Sequence, residues 1–105
     1  MLFYFDFDLC YTYKWFTRQD DPMLMGEPGE FVFDPLEGWQ VLRMINWFAQ
    51  RHPDAGKSLG QKIEVLLRHY LPESIHSQIG VLDWLEKNWS RDLLEMPGKY
   101  ERNTA

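Results

Sequence analysis

The sequence contains a single cysteine, Cys10, among its 105 residues. One cysteine cannot form a disulfide within the chain, and a zinc site built from several cysteines is excluded as well. The sequence therefore favours a reducing, cytoplasmic setting.

Basic residues are scarce relative to acidic ones. Lys and Arg number 11, Asp and Glu number 16, and the formal net charge is −5. Proteins that bind nucleic acid through its phosphates carry a basic stripe, so this balance argues against direct nucleic-acid binding and suits a basic protein partner. No stretch approaches the ~20 apolar residues of a membrane-spanning helix, so we expect no membrane partner.

Recognisable catalytic and metal-binding patterns are missing too. His52, His69 and His76 stand at no ligand-like spacing from one another or from Cys10. We therefore predict no catalytic residue, no bound metal and no cofactor.

The chain does have the apolar content of a folded protein, since 45% of its residues are hydrophobic and 16% are aromatic. Its length suits one domain with a modest core. We predict a single α+β domain over residues 1–96, followed by a frayed polar tail over residues 97–105.

Strict alternation marks the stretch Leu2–Phe16, in which the odd positions are almost all aromatic. A period of two predicts a β-strand with one aromatic face. Fifteen extended residues would span roughly 50 Å, whereas a compact chain of this size is roughly 33 Å across. The strand must therefore bend over the core or project to a partner, which could be a second copy of the chain.

An acidic connection follows over residues 17–30, punctuated by Pro22, Gly26, Pro28 and Gly29. Phe31-Val32-Phe33 then predicts a short second strand, antiparallel to the first. Unpaired edges of such a small sheet suggest a homodimer that forms through the long strand.

Three amphipathic helices are predicted after this strand. The first is expected from Pro35 to about Arg51, with Asp34 as its cap, and the second begins after Ser58 and ends before Pro72. The third is expected to begin near Ser74. The predicted apolar faces are Val41, Leu42, Met44, Ile45, Phe48 and Ala49 in the first helix, Leu59, Ile63, Leu66, Leu67 and Tyr70 in the second, and Ile75, Ile79, Leu82, Leu85, Trp89 and Leu93 in the third. The predicted fold class is α+β, with two or three antiparallel strands, one of them long and aromatic, against three α-helices.

A stripe of aromatic and basic residues runs along the first predicted helix at four-residue steps, namely Trp39, Arg43, Trp47 and Arg51. Trp and Arg are enriched at binding hot spots, and Trp84 adds an aromatic to a mostly polar face of the third helix. The same residues could instead pack beneath the acidic loop. Both interpretations stay open at this point.

Asp6-Phe7-Asp8 resembles the first motif of haloacid-dehalogenase-like phosphatases, in which two carboxylates at a strand end hold a metal and attack phosphate. The resemblance covers only these residues, and Cys10-Tyr11 departs from the loop expected there. A small enzyme or a metal- or ligand-binding domain that uses the face of Asp6 and Asp8 is therefore an alternative function.

We predict a non-enzymatic protein-binding module. Its most concrete form is a small acidic inhibitor, of the immunity-protein or phage-inhibitor type, of a basic and possibly nucleic-acid-processing protein. A structural subunit of a larger assembly is a further alternative. The residues expected to bind the partner are Trp39, Arg43, Trp47, Arg51, Trp84, Asp20, Asp21, Glu27 and Glu30.

Overall fold

The computed structural model describes residues 4, 8–56 and 58–95, and these ranges contain three α-helices. Helix α1 spans Gly38–Arg51, α2 spans Leu59–Val65 and α3 spans Gln78–Asn88. A π-helical turn, Leu66–Tyr70, continues α2. Short 3-10 turns lie at Pro22–Leu24 and Leu93–Glu95.

The prediction of an α+β fold is wrong, because the described residues contain no strand and no sheet. Residues 2, 3 and 5–7 of the predicted long strand lie outside the described part. Over residues 8–16 of that strand, the only ladder contact is an isolated parallel bridge between Lys14 and Glu37. The second predicted strand forms one antiparallel bridge, between Val32 and Ser77, and does not pair with the described part of the first.

A buried carboxylate explains why the segment 8–17, here called the arm, forms no sheet. Glu64 on α2 is only 1% exposed. It accepts hydrogen bonds from the backbone N–H of Cys10, at 2.8 and 2.9 Å, and of Tyr11, at 3.0 Å, and from the hydroxyl of Tyr13, at 2.7 Å. Backbone donors that a side chain has satisfied are no longer available to a neighbouring strand.

A second buried carboxylate, that of Glu37, also accepts hydrogen bonds from backbone N–H groups of the arm, at its other end. One of its oxygens caps α1 by accepting from the N–H of Gln40 at 3.1 Å. The other accepts from the N–H of Phe16 and of Thr17, at 3.0 and 3.2 Å. Side chains at helix positions thus accept from backbone N–H groups of the arm that a partner strand would otherwise have bonded, at Cys10, Tyr11, Phe16 and Thr17.

The helix starts also differ from prediction. Helix α1 begins at Gly38 rather than Pro35, because Asp34 instead accepts from the N–H of Leu36 in a preceding turn. Helix α3 begins at Gln78 rather than near Ser74, because the Ser77 side chain caps it by accepting from Gly80 N–H.

The core lies between the three helices and follows the predicted apolar faces of α1 and α2. The buried side chains include Val41, Met44, Ile45, Phe48, Leu59, Ile63, Leu66 and Leu67. The predicted face of α3 is correct at Leu82 and Leu85 but wrong at Ile79, which is 47% exposed. Among the described residues no helix is both long and apolar enough to cross a membrane.

Candidate protein-binding surface

Buried Gln78, the first residue of α3, anchors the acidic loop. Its side-chain oxygen accepts from the N–H of Gly29 at 2.9 Å, and its amide group donates to the carbonyl of Met23 at 2.6 Å. One side chain therefore fixes the loop at two points that are six positions apart along the chain. Sequence patterns gave no sign of this role, because a glutamine at the start of a helix is ordinary.

Two stripe residues of α1 form the second anchor of the loop. The carbonyl of Gly26 accepts from the indole N–H of Trp47 at 2.8 Å and from the guanidinium of Arg43 at 3.1 Å. Trp47 is only 4% exposed, and the Arg43 guanidinium lies 4.9 Å from the centre of its ring. These two residues lie under the loop, so any part that Trp47 plays in partner binding would be indirect.

The other predicted aromatic residues are also engaged within the chain. Trp39 is half-buried and contacts Trp15 of the arm edge to face, with ring centres 4.8 Å apart. Trp84 is half-buried and packs against the core. The aromatic residues of the stripe and of α3 therefore do not form one continuous exposed face.

The predicted acidic residues lie along the loop in different settings. Asp20 pairs with Arg18 at 3.1 Å, and Asp21 caps the turn Pro22–Leu24 by accepting from the N–H of Met23. Glu27 lies 3.6 Å from Arg51, the exposed end of the stripe. Glu30 is exposed and has no ion pair with any residue in the described ranges.

Next to Glu30, the chain exposes three large apolar side chains on adjacent segments. Phe31 is 46% exposed, Val32 is 68% exposed, and Ile79 is 47% exposed. Residues 29–33 run beside the start of α3, since the carbonyl of Gly29 accepts from Ile79 N–H at 3.1 Å. We call Phe31, Val32, Ile79, Glu27 and Glu30 the loop surface.

A shallow groove of about 430 Å³ borders the loop surface, between Glu27 and Pro28 on one side and α3 on the other. Ile79 and Leu82 supply its apolar lining, and its charged lining residues are Glu27, Asp83, Glu86 and Arg51. Glu27 lies 3.6 Å from Arg51, Asp83 pairs with Lys87 at 3.0 Å and Glu86 contacts His52 at 2.7 Å, while Glu30 adds a negative charge that has no ion pair among the described residues. An apolar surface with an acidic surplus suits a partner that offers apolar and basic side chains together.

A second exposed apolar group lies where the arm meets the start of α1. It consists of Trp15, Phe16 and Leu36. The charges beside it are paired or buried, because the Lys14 ammonium, 5.4 Å from the centre of the Phe16 ring, pairs with Asp34 at 2.9 Å, and the Glu37 carboxylate that accepts from Phe16 N–H is buried. This group lacks the acidic surplus of the loop surface.

The alternative site at Asp6 and Asp8 is only partly described. Asp6 lies outside the described residues, and Asp8 is exposed. Within the described ranges, no three His, Cys, Asp or Glu residues are grouped so that they could hold a metal ion.

Polar residues around Tyr13 serve to hold the arm. Burial, together with the hydrogen bond to Glu64 and the negative charge of that carboxylate, raises the pKa of Tyr13 well above its usual range. The Arg68 guanidinium lies 4.8 Å from the Tyr13 ring centre and 5.0 Å from that of Tyr11, and it donates to the carbonyl of Thr12 at 2.8 Å. Because Tyr13 keeps its proton and Arg68 already contacts the arm, these two residues are suited to anchoring the arm.

No protein-family model matches this chain, and neither the curated proteins nor the solved structures include a significant match to it.

Proposed function

We propose that this chain is a non-enzymatic protein-binding module for a basic protein. Its most concrete form is a small acidic inhibitor, of the immunity or phage-inhibitor type, of a nucleic-acid-processing protein. The observation that carries the proposal is the loop surface, where Phe31, Val32 and Ile79 are exposed beside the unpaired carboxylate of Glu30.

Apolar contact would supply most of the affinity. Full burial of a large apolar side chain contributes about 1.5–3 kcal/mol, and each of these three has about half or more of its surface left to bury. Gln78, Trp47 and Arg43 hold the loop in place before a partner arrives. A surface that is already ordered loses less conformational entropy on binding.

Electrostatic complementarity would determine which partner is bound. Proteins that act on nucleic acids present Lys and Arg where phosphates bind, and a chain with net charge −5 is attracted to such a face. Acidic residues at the rim chiefly raise the association rate and weaken binding to acidic competitors. A reducing cytoplasm suits the exposed thiol of Cys10 and belongs to the same proposal.

The test is affinity capture from a lysate of the source organism with three immobilised forms of the chain. The wild type is compared with Ile79→Asp at the loop surface and with Leu94→Asp, which changes a 93% exposed leucine beyond the opposite end of α3. Both substitutions add the same negative charge at an exposed apolar position. The Ile79 change should therefore test apolar contact at the loop surface, and the Leu94 change should control for charge.

We expect a basic protein that the wild type and Leu94→Asp retain and that Ile79→Asp loses. Matched unfolding curves for the three forms would show that the loss is local. The proposal is contradicted if nothing is captured, or if every captured protein is retained equally by Ile79→Asp.

A further inference from the structure

Residues 29–33 lie beside the start of α3, with a bend at Glu30 and Phe31 and an isolated bridge at Val32. The carbonyl of Phe31 accepts from the N–H of Gln78 at 2.9 Å, and the N–H of Phe33 donates to the carbonyl of His76 at 2.6 Å. These two bonds flank the antiparallel bridge between Val32 and Ser77. Phe31 and Phe33 therefore direct their backbone groups toward the start of α3.

Val32, which lies between them, directs its N–H and C=O the other way, because it is a non-hydrogen-bonded member of an antiparallel bridge. Neither Val32 nor Glu30 has a backbone hydrogen bond to any other residue in the described ranges. Both residues are exposed. Val32 thus offers an open backbone edge at the centre of the loop surface, with the carboxylate of Glu30 two residues before it.

We propose that the basic partner binds by adding an extended segment of its own to this edge as an antiparallel or parallel strand. The N–H and C=O of Val32 would pair with the backbone of that segment, as in strand-addition complexes. This inference rests on the proposed function and specifies the form in which the partner binds.

Side chains at the edge define the segment that fits it. Val32 carries the open backbone groups, and the exposed side chains of Glu30 and Phe31 lie at the bend just before it. A partner strand would therefore place a Lys or Arg beside Glu30 and apolar residues beside Val32 and Phe31. Such cross-strand pairs contribute roughly 0.2–1 kcal/mol each.

The charge of the edge also argues against pairing with a second copy of this chain. Two copies joined at this edge would bring Glu27 and Glu30 of each close to those of the other. Charged residues on an exposed edge are a common protection against self-association. The same carboxylates attract a basic strand, so the edge discriminates between the two occupants.

Amide hydrogen exchange of the whole chain tests the edge with a defined probe, a capped peptide with the repeat Lys-Val-Val. In the free protein the Val32 amide should exchange freely, while the amides of Phe33 and Gln78 are protected by their bonds. Saturating peptide should slow exchange at Val32 by about tenfold or more. A peptide with glutamate in place of lysine should leave it unchanged.

Two substitutions at one position separate the backbone from the side chain. Val32→Pro removes the outward N–H at a position where an edge tolerates proline, and Val32→Thr keeps that N–H while changing the side chain. We expect peptide affinity to fall about tenfold or more in Val32→Pro and to fall less in Val32→Thr. Unchanged protection of Phe33 and Gln78 verifies that the segment keeps its place.

If Val32→Pro disturbs the segment, the backbone of the peptide can be changed instead of that of the protein. A lysine peptide methylated at alternate backbone nitrogens cannot donate to the Val32 carbonyl, so it should bind more weakly than the unmethylated peptide. The inference is overturned by an absence of peptide binding, by binding that leaves Val32 exchange unchanged, or by equal binding of the methylated peptide. Protection of Val32 that grows with protein concentration alone would show that a second copy occupies the edge.

Failure of this inference is distinguishable from failure of the proposed function. A partner that is lost with Ile79→Asp but fully retained by Val32→Pro would keep the proposed function and refute strand addition. Capture of no protein at all would refute the proposed function itself.

Discussion

Replacing Glu64 by glutamine should detach the arm from the helices. The carboxylate receives three donors, from Cys10, Tyr11 and Tyr13, at distances between 2.7 and 3.0 Å. A glutamine keeps one acceptor oxygen and carries an NH₂ group in place of the other. With its oxygen at the Oε2 position the glutamine can still accept from all three donors, but the charge-assisted bond from Cys10 N–H to Oε1 is lost, and the buried NH₂ group that replaces Oε1 faces that N–H instead of an acceptor.

Each of these two losses has a known scale. A hydrogen bond to a charged group contributes about 1.5–3 kcal/mol, and an unsatisfied buried donor costs about 1–3 kcal/mol. Part of the sum is recovered because the neutral amide is easier to bury than the carboxylate. We therefore expect the free energy of unfolding to fall by about 2–4 kcal/mol, which corresponds to a fall in Tm of roughly 10–20 °C in a domain of this size.

Urea unfolding followed by tryptophan fluorescence measures the change, with Glu73→Gln as the control. Glu73 is exposed, and its replacement makes the same change in charge and shape at a position where less than about 0.5 kcal/mol is expected. Amide exchange at Cys10 and Tyr11 should accelerate in Glu64→Gln and stay unchanged in the control. A Glu64→Gln protein with wild-type stability and wild-type exchange at both amides would refute the described role of the carboxylate.

Three further changes probe the other contacts. Gly38→Ala places a Cβ 2.5 Å from ring atoms of Trp15, so we expect it to lower the free energy of unfolding in urea by about 1–3 kcal/mol. Gly29→Ala, whose nearest contact would be at 3.9 Å, should lower it much less, and equal losses of stability in the two variants would contradict this contact. Trp47→Phe removes the indole N–H that donates to the Gly26 carbonyl, so it should lower the free energy of unfolding by about 1–3 kcal/mol and speed amide exchange at Gly29. Unchanged exchange at Gly29 would count against the loop anchor. Because the pKa of Tyr13 is raised in the folded state, the folded protein holds a proton that the unfolded chain releases above pH about 10, so stability should fall as pH rises past that value. Tyr13→Phe should lose less stability over the same pH range, and parallel pH curves for the two proteins would be the contrary result.

The helical core was predictable because its signal is local. Apolar spacing placed Val41, Ile45 and Phe48 on one face of α1 and Ile63 and Leu66 on one face of α2, and all five are buried. The start of α1 was less predictable, since Glu37 both caps the helix and binds the arm. A capping pattern cannot reveal a partner that is distant along the chain.

The arm shows what alternation does and does not report. Leu9, Tyr11 and Tyr13 are half-buried and the residues between them are exposed, so the predicted two faces are correct over that stretch. The sheet was wrong because alternation describes an extended backbone and not the groups that accept its hydrogen bonds. Here the acceptor, Glu64, lies more than fifty residues away along the chain.

The candidate surface was hidden for a related reason. Ile79 fits the apolar period of α3, and only the placement of residues 29–33 beside the helix start shows that it lies outside the core. Trp47 suggested exposure through its regular spacing with Arg43, but its indole faces the loop carbonyl of Gly26. Periodicity places a residue on a helix face and cannot say which loop covers that face.

Binding kinetics of the captured basic protein test the central claim most directly, because charge and apolar contact act on different rates. We expect association with the wild type to slow steeply as salt is added. A Glu27→Gln/Glu30→Gln variant should associate about tenfold more slowly at low salt, with little change in its dissociation rate. Ile79→Ala should dissociate about tenfold faster, with little change in its association rate. Association that ignores salt, together with wild-type rates in both variants, would contradict recognition of a basic partner through the loop surface.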